Sequence, residues 1–251
     1  MEGGYAPANG LEMYYEVRGE GDPLVLLHGG FTTIDVSFGE LLPALAEGRR
    51  VVAVEQQGHG RTPDADRPLS FARMADDTAA VLGHLGIERA DFFGYSDGGN
   101  VALGLAIRHP DLVRKAAVAG VNYKREGLYP EFLEFLENVD PDGLDGLKDA
   151  YTEVAPEPGN WPTLVHKVAR LTLDFEGWQP DELWSIRAPA LVMAGDKDVV
   201  PPEHTVELSR LLLDSRLAIL PDTDHVSLLG RTDWLLSMLG EFFDAPAPEE
   251  R

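Results

Sequence analysis

The stretch FFGYSDGGNVALGLA, residues 92–106, sets a single serine, Ser96, between Gly94 and Gly98, where an apolar run gives way to helical spacing. A nucleophilic serine must push its oxygen into a cleft while the backbone turns sharply beneath it. A turn between a strand and a helix does this, but it forces an unfavourable backbone conformation on the serine. Side chains two residues before and after would collide in so tight a turn. Glycine at 94 and 98 is therefore expected, with Gly99 easing the approach of helix to strand. The helix that follows aims free N–H groups and the positive end of its dipole at the hydroxyl. G-x-S-x-G is common by chance; the buried run before it and the helical pattern after it supply the context the chemistry needs.

Working outward, short apolar runs alternate with amphipathic stretches. LEMYYEV (11–17) alternates in period two after Asn9-Gly10, which predicts a hairpin near the start. PLVLLHGG (23–30), RVVAVE (50–55), ADFFGYS (90–96), AAVAG (116–120), APALVMAG (188–195) and SRLAILP (215–221) read as buried strands. Residues 36–47, 71–85, 97–108, 203–213 and 231–243 carry helical spacing. This alternation predicts an α/β fold, a doubly wound and mostly parallel sheet with helices on both faces.

A serine hydroxyl needs a general base, itself oriented by a carboxylate. The seven histidines stand at 28, 59, 84, 109, 166, 204 and 225. His225, in LPDTDHVSLL, lies just past the last apolar strand run, where its loop can return to the sheet edge that carries Ser96. His204 opens a helix, and His84 and His109 sit near helix ends, where a cation favours the dipole. For the acid, MAGDKDVVPP follows another strand run and offers Asp196 and Asp198. Asp198 is assigned to the histidine, and Asp196 to tying down the turn. The alternative edge after AAVAG presents Asn122 and no carboxylate until Glu126.

Lys and Arg number 21 against 43 Asp and Glu, a formal net charge of −22, which argues against nucleic acid or an anionic membrane as partner. There is no cysteine, so disulfides, thiolate metal sites and a cysteine nucleophile are excluded. No apolar run approaches the ~20 residues that span a bilayer. The N-terminal MEGGYAPANG lacks the basic and apolar regions of a signal peptide, so a cytoplasmic protein is expected.

From Asn122 to Trp184 no strand pattern appears, only helical stretches such as YPEFLEFLENV and WPTLVHKVARLTLDF. The stretch is too long for a simple connection. It is read as a mainly helical insertion, residues 122–184, over a core formed by 1–121 and 185–251. Of its aromatics (Tyr123, Tyr129, Phe132, Phe135, Trp161, Trp178 and Trp184) most are expected to pack the insertion onto the core, and a minority to line an apolar pocket. DPDGLDGLKD (140–149) is not a calcium loop: Leu144 occupies a ligand position and the glycines fall at the wrong offsets.

Together these residues resemble the α/β-hydrolase superfamily, in its serine carboxylesterase-like branch. The shared features are His28-Gly29 after an early strand, the elbow Gly94-Tyr95-Ser96-Asp97-Gly98, the turn from Gly195 to Asp198, and the late His225. The chain order Ser, Asp, His is the order of that superfamily. The resemblance implies an eight-stranded sheet whose second strand is antiparallel, and a helical cap inserted after the sixth. It implies an oxyanion hole made by the N–H groups of Gly30 and Asp97, with His28 bracing that loop. One departure is VEQQGHGRT, which gives Glu55, Gln57 and Thr62 where the family often shows an acid, an arginine and a serine turn. Dehalogenases and epoxide hydrolases of this fold need a carboxylate nucleophile and are excluded by Ser96.

The expected activity is cofactor-independent hydrolysis of small-molecule carboxylic esters through an acyl-enzyme on Ser96, with His225 and Asp198. The same triad could cleave lactones, thioesters, amides or C–C bonds, act as a perhydrolase or haloperoxidase, or serve a slow-turnover ligand receptor. Candidate substrate contacts are Phe31, Tyr95, Asp97, Tyr123, Tyr129 and Trp161. Asp97 begins a helix, where the dipole alone would explain a carboxylate. It also places negative charge beside the acyl site, favouring ammonium-bearing substrates or disfavouring anions.

Overall fold

The computed structural model describes residues 2–246. The chain opens on a hairpin in which β1 (Glu2–Ala8) and β2 (Leu11–Arg18) pair antiparallel. Asn9 and Gly10 join them, both left-handed at φ 50° and 90°, as a tight hairpin turn requires. β2 also runs antiparallel to β4 (Arg50–Val54). From there the sheet is parallel: β3 (Pro23–Leu27), β5 (Ala90–Tyr95), β6 (Val113–Ala119), β7 (Ala190–Lys197) and β8 (Ser215–Asp224) complete eight strands in the order β1-β2-β4-β3-β5-β6-β7-β8.

Because side chains alternate across a strand, the apolar runs feed two cores at once. Leu24, Leu26, Val51, Ala53 and Phe93 pack on one face with α1 (Ile34–Phe38), α2 (Leu42–Leu45) and α10 (Thr232–Asp244). Val25, Leu27, Val52, Val54 and Phe92 pack on the other with α3 (Phe71–His84), α4 (Asp97–Arg108) and α9 (Pro202–Leu211). Phe92 and Phe93 are both fully buried, and each such side chain contributes about 2–3 kcal/mol.

The helix expected over 36–47 is instead two short ones. α1 ends at Gly39, whose N–H closes on Asp35 O, and α2 restarts with Pro43 in its first turn. Proline has no N–H to continue a preceding helix but fits the first turn of a new one, where that N–H would lack a partner anyway, so the chain breaks before it. Between β6 and β7 lie α5 (Pro130–Glu137), α6 (Asp145–Val154), α7 (Trp161–Leu173) and α8 (Pro180–Trp184), with no strand among the described residues. Two backbone bonds fix the roots of this segment: Trp178 N–H to Tyr123 O at 2.9 Å and Tyr129 N–H to Val199 O at 3.1 Å.

The strand order reverses at the centre, since β3 is flanked by β4 on one side and β5 on the other. Loops leaving β3 and β5 therefore diverge to opposite faces, and a crevice opens at their carboxyl ends.

Candidate active site

Ser96 sits between β5 and α4 with φ 53° and ψ −121°, a conformation few non-glycine residues adopt. A Cβ on Gly94 would lie 2.2 Å from Gly98 O, and one on Gly98 would lie 2.0 Å from Leu27 O. The strained turn therefore exists only because both positions lack side chains. Ser96 N–H donates to Ala119 O at 2.8 Å, and Ser96 O accepts from Gly99 N–H at 2.9 Å.

His225 Nε2 lies 3.0 Å from Ser96 Oγ and its Nδ1 lies 2.7 Å from Asp198 Oδ1. A carboxylate only accepts, so Nδ1 carries the proton and the Nε2 lone pair faces the Ser96 hydroxyl. Asp198 is buried, and Val200 N–H also donates to its Oδ1 at 3.2 Å. The histidine loop is held on three sides. Tyr95 Oη donates to His225 O at 2.7 Å. Ser227 N–H donates to Asp224 Oδ1 at 2.8 Å, closing the turn around the histidine. Thr223 N–H donates to Asp196 Oδ1 at 3.0 Å, tying the ends of β7 and β8 together. Asp196 thus bonds across to the end of β8 rather than tying down its own turn, where the local side-chain bond is the one from Val200 N–H to Asp198. Gly120, φ 64°, ends β6 beneath the imidazole; a Cβ there would sit 2.9 Å from the His225 ring.

The loop after β3 carries Gly30 against the elbow, where a Cβ on Gly30 would lie 2.5 Å from Asp97 Oδ2. His28 is buried, with Nδ1–H donating to Gly29 O at 2.8 Å and Nε2 accepting from Gln56 N–H at 3.0 Å. Burial pulls its pKa down to about 4, so it stays a neutral brace. Phe31 follows at φ 62°. Thr33 Oγ1 accepts from Val36 N–H at 3.3 Å and caps α1. Glu55, fully buried, accepts from Ile34 N–H at 3.4 Å, from Arg61 N–H, and from Arg61 Nη1 at 2.9 Å. Burial pushes its carboxyl up to about 7. His59 is buried beside His28, ring centroids 4.9 Å apart, and is pulled down to about 3 by burial. His84 ends α3, and His109 follows α4 with Nε2 2.8 Å from Asp76 Oδ1.

A cavity of about 670 Å³ opens over Ser96, His225, Gly30 and Asp97. Of the candidate substrate contacts, Phe31 and Tyr95 line it, with Asp97. Tyr123, Trp161 and Tyr129 do not. Tyr123 is buried and stacks on His204 with ring centroids 4.4 Å apart. Trp161 is buried with its indole N–H donating to Pro141 O at 2.8 Å. Tyr129 is exposed on an adjoining shallow surface. The wall facing the serine comes instead from Leu128, Phe132, Leu136, Leu144, Leu147 and Val168. A more open groove of about 1000 Å³ lies on another face of α7, against residues 66–72, and contains none of the residues around Ser96. Among the described residues no three His, Asp or Glu side chains converge as a metal site would require, and no helix is long and apolar enough to cross a membrane.

Asp97 is 7% exposed, lines the cavity and accepts no hydrogen bond among the described residues. Burial pushes its carboxyl up to about 7, against a smaller opposing pull from His225. The helix dipole accounts for a carboxylate at this position but leaves its oxygens unpaired.

The family model of the alpha/beta hydrolase fold matches residues 22–154, more than half of the chain. The chain belongs to the α/β-hydrolase fold family. The 2-hydroxymuconate semialdehyde hydrolase of Pseudomonas sp. (strain CF600) is 28% identical to it, over 94% of this chain and 91% of the relative. A non-heme haloperoxidase of Rhodococcus erythropolis is 27% identical, over 87% and 90%. The 2-hydroxy-6-oxo-6-phenylhexa-2,4-dienoate hydrolase of Rhodococcus sp. strain RHA1 has the same fold, with a TM-score of 0.81, 23% identity and coverage of 97% and 99%. The α/β-hydrolase sheet, with its antiparallel second strand and its helical segment after the sixth, is the architecture that the family resemblance implies.

Proposed function

We propose that this α/β-hydrolase cleaves carboxylic esters of small molecules through an acyl-enzyme on Ser96. The observation that carries the reading is the continuous chain from Ser96 Oγ through the His225 ring to buried Asp198. Ser96 Oγ attacks the carbonyl carbon as its proton passes to His225 Nε2, and Asp198 stabilises the imidazolium that forms. The carbonyl oxygen, now anionic, is held by the Gly30 and Asp97 N–H groups. The C–O bond to the alcohol breaks, and His225 returns the proton to that leaving oxygen. Water then gives a proton to His225 and attacks the acyl-enzyme; the bond to Ser96 Oγ breaks as His225 returns that proton to Oγ, and the acid is released. No cofactor enters any step.

The helical segment 122–184 acts as a cap that supplies the apolar wall and limits the size of the acyl group. A carboxylate, as the name of the Pseudomonas relative implies for its substrate, would meet no Lys or Arg among the residues lining this cavity. That supports an ester reading over that substrate. The test is hydrolysis of p-nitrophenyl acetate, butyrate and octanoate by the wild type and by Ser96→Ala. Steady turnover that falls at least ~10⁴-fold in the variant is expected. Activity surviving in Ser96→Ala overturns the nucleophile. A single burst followed by silence moves the assignment to a slow receptor of the same fold.

A further inference from the structure

The charges around the cavity are of one sign. Asp35, Glu40 and Asp97 line it, His225 is its one basic side chain, and no Lys or Arg is among its lining residues. Asp35 is partly neutralised from outside by Arg61 Nη2 at 3.1 Å, and Glu40 accepts from Thr232 Oγ1 at 3.3 Å. Asp97 has neither relief. It is buried, lines the same cavity as Ser96 and accepts no hydrogen bond among the described residues, a standing electrostatic penalty that a second negative charge would increase. The chain's net charge of −22 adds a repulsive field over the approach. Opposite stands the apolar wall of Leu128, Phe132, Leu136, Leu144, Leu147 and Val168, which offers an anion no hydrogen bond; the polar side chains elsewhere in the lining, such as Thr32, Ser37, Asn122 and Thr172, carry no positive charge.

We infer that the cleft is an anion-excluding site: its substrate is an ester with an apolar acyl group and no carboxylate, phosphate or sulfate near the scissile bond. The inference rests on the hydrolase reading and narrows its substrate class. It assigns Asp97 a specificity role through its side chain, separate from the backbone N–H that faces the oxyanion.

Three esters of one acyl length test it: p-nitrophenyl hexanoate, the p-nitrophenyl half-ester of adipate, and p-nitrophenyl methyl adipate. The half-ester replaces the terminal methyl of the hexanoyl chain by a carboxylate, and the methyl diester adds similar polarity without charge. At pH 8 and low salt, kcat/KM for the half-ester is expected to lie at least ~100-fold below that of the methyl diester. Asp97→Asn should narrow that ratio at least ~10-fold, and raised ionic strength should narrow it in the wild type. A half-ester within about threefold of the diester, or a ratio unmoved by Asp97→Asn, overturns the inference while leaving the hydrolase reading intact. Should none of the esters turn over, the hydrolase reading fails, and binding of hexanamide against adipamate to Ser96→Ala by calorimetry still decides the matter. Selective binding of the amide supports anion exclusion; equal binding of both overturns it.

Discussion

The two sides of the cleft are held by different physics. On the sheet side, Ser96, Gly30, Asp198 and His225 stand on loops leaving β5, β3, β7 and β8. Each loop is pinned by short directional hydrogen bonds: Ser96 N–H to Ala119 O, Gln56 N–H to His28, Tyr95 Oη to His225 O, and Thr223 N–H to Asp196. On the helical side, Phe132, Leu136, Leu144, Leu147 and Val168 come from α5 to α7 and their approach and are held by apolar packing. Hydrogen bonds fix geometry to fractions of an ångström, whereas apolar contact tolerates exchange of volume. The sheet side should therefore control rate and the helical side should control choice of acyl group.

The strongest way to break that division is at Glu55, beneath the loop that follows β3. Its carboxylate accepts only from N–H donors, those of Ile34 and Arg61. A carboxamide in its place sets an NH₂ group against those donors and loosens the loop that carries Gly30. At pH 8, where the Glu55 carboxyl is mostly ionised, Glu55→Gln is expected to lower kcat about 10- to 100-fold, since misplacement near 1 Å has that scale of effect, with KM within about twofold. Rates should be normalised to active sites titrated by the acyl burst. An unchanged kcat per titrated site would show that the loop holds its position without this carboxylate.

Asp97 belongs to the sheet side by position, yet its carboxylate accepts no hydrogen bond among the described residues, so its burial should register as a penalty on stability. Its carboxyl titrates at about 7 in the folded protein against about 3.9 unfolded. The native state thus binds this proton more tightly. Its relative stability is greatest below about pH 4 and is lost as pH rises through 7. The penalty at pH 8 is on the order of 2–4 kcal/mol. Asp97→Asn removes it. The melting temperature of the variant minus that of the wild type should be near zero at pH 4 and positive by about 4–10 °C at pH 8. A difference independent of pH would place the charge in contact with solvent or with a cation.

The division also explains what could be read from the residues alone. The elbow is legible because steric exclusion acts within five residues, and the positions of His225 and Asp198 because each follows the end of an apolar run. The hairpin at Asn9-Gly10 obeys the same local rule. The wall was not readable. Which side of α5 or α7 faces Ser96 depends on how residues 122–184 dock, and nothing in helical spacing separates Phe132, which lines the cavity, from Trp161, which packs away from it. Tyr123 has the composition of a ligand contact but is taken up by His204. Gly120 was visible only as the end of a strand, because its service to the His225 ring comes from a loop more than a hundred residues later. Local sterics leave a trace in sequence; long-range docking does not.

The smallest expected effects lie on the helical wall, and they come as a pair of opposite sign. Phe132 stacks on Phe135 at 5.6 Å and its ring stands 6.5 Å from His225, while Leu136 lies one turn further along α5, buried but lining the same cavity. Phe132→Ala enlarges the space near the serine, and Leu136→Trp fills the space beyond it. The first should raise kcat/KM for p-nitrophenyl octanoate relative to acetate by about 3- to 10-fold, and the second should lower the same ratio by a similar factor. Acetate, too short to reach the wall, should change by less than about twofold in both. Selectivity would then move while the rate on the shortest ester stays put, as expected of a wall that packs against the acyl chain without touching the reacting atoms. If both variants lowered acetate turnover as much as octanoate turnover, the wall would be holding the histidine loop as well. Phe132 is close enough to His225 for that result to matter, and it would erase the separation between the two sides of the cleft.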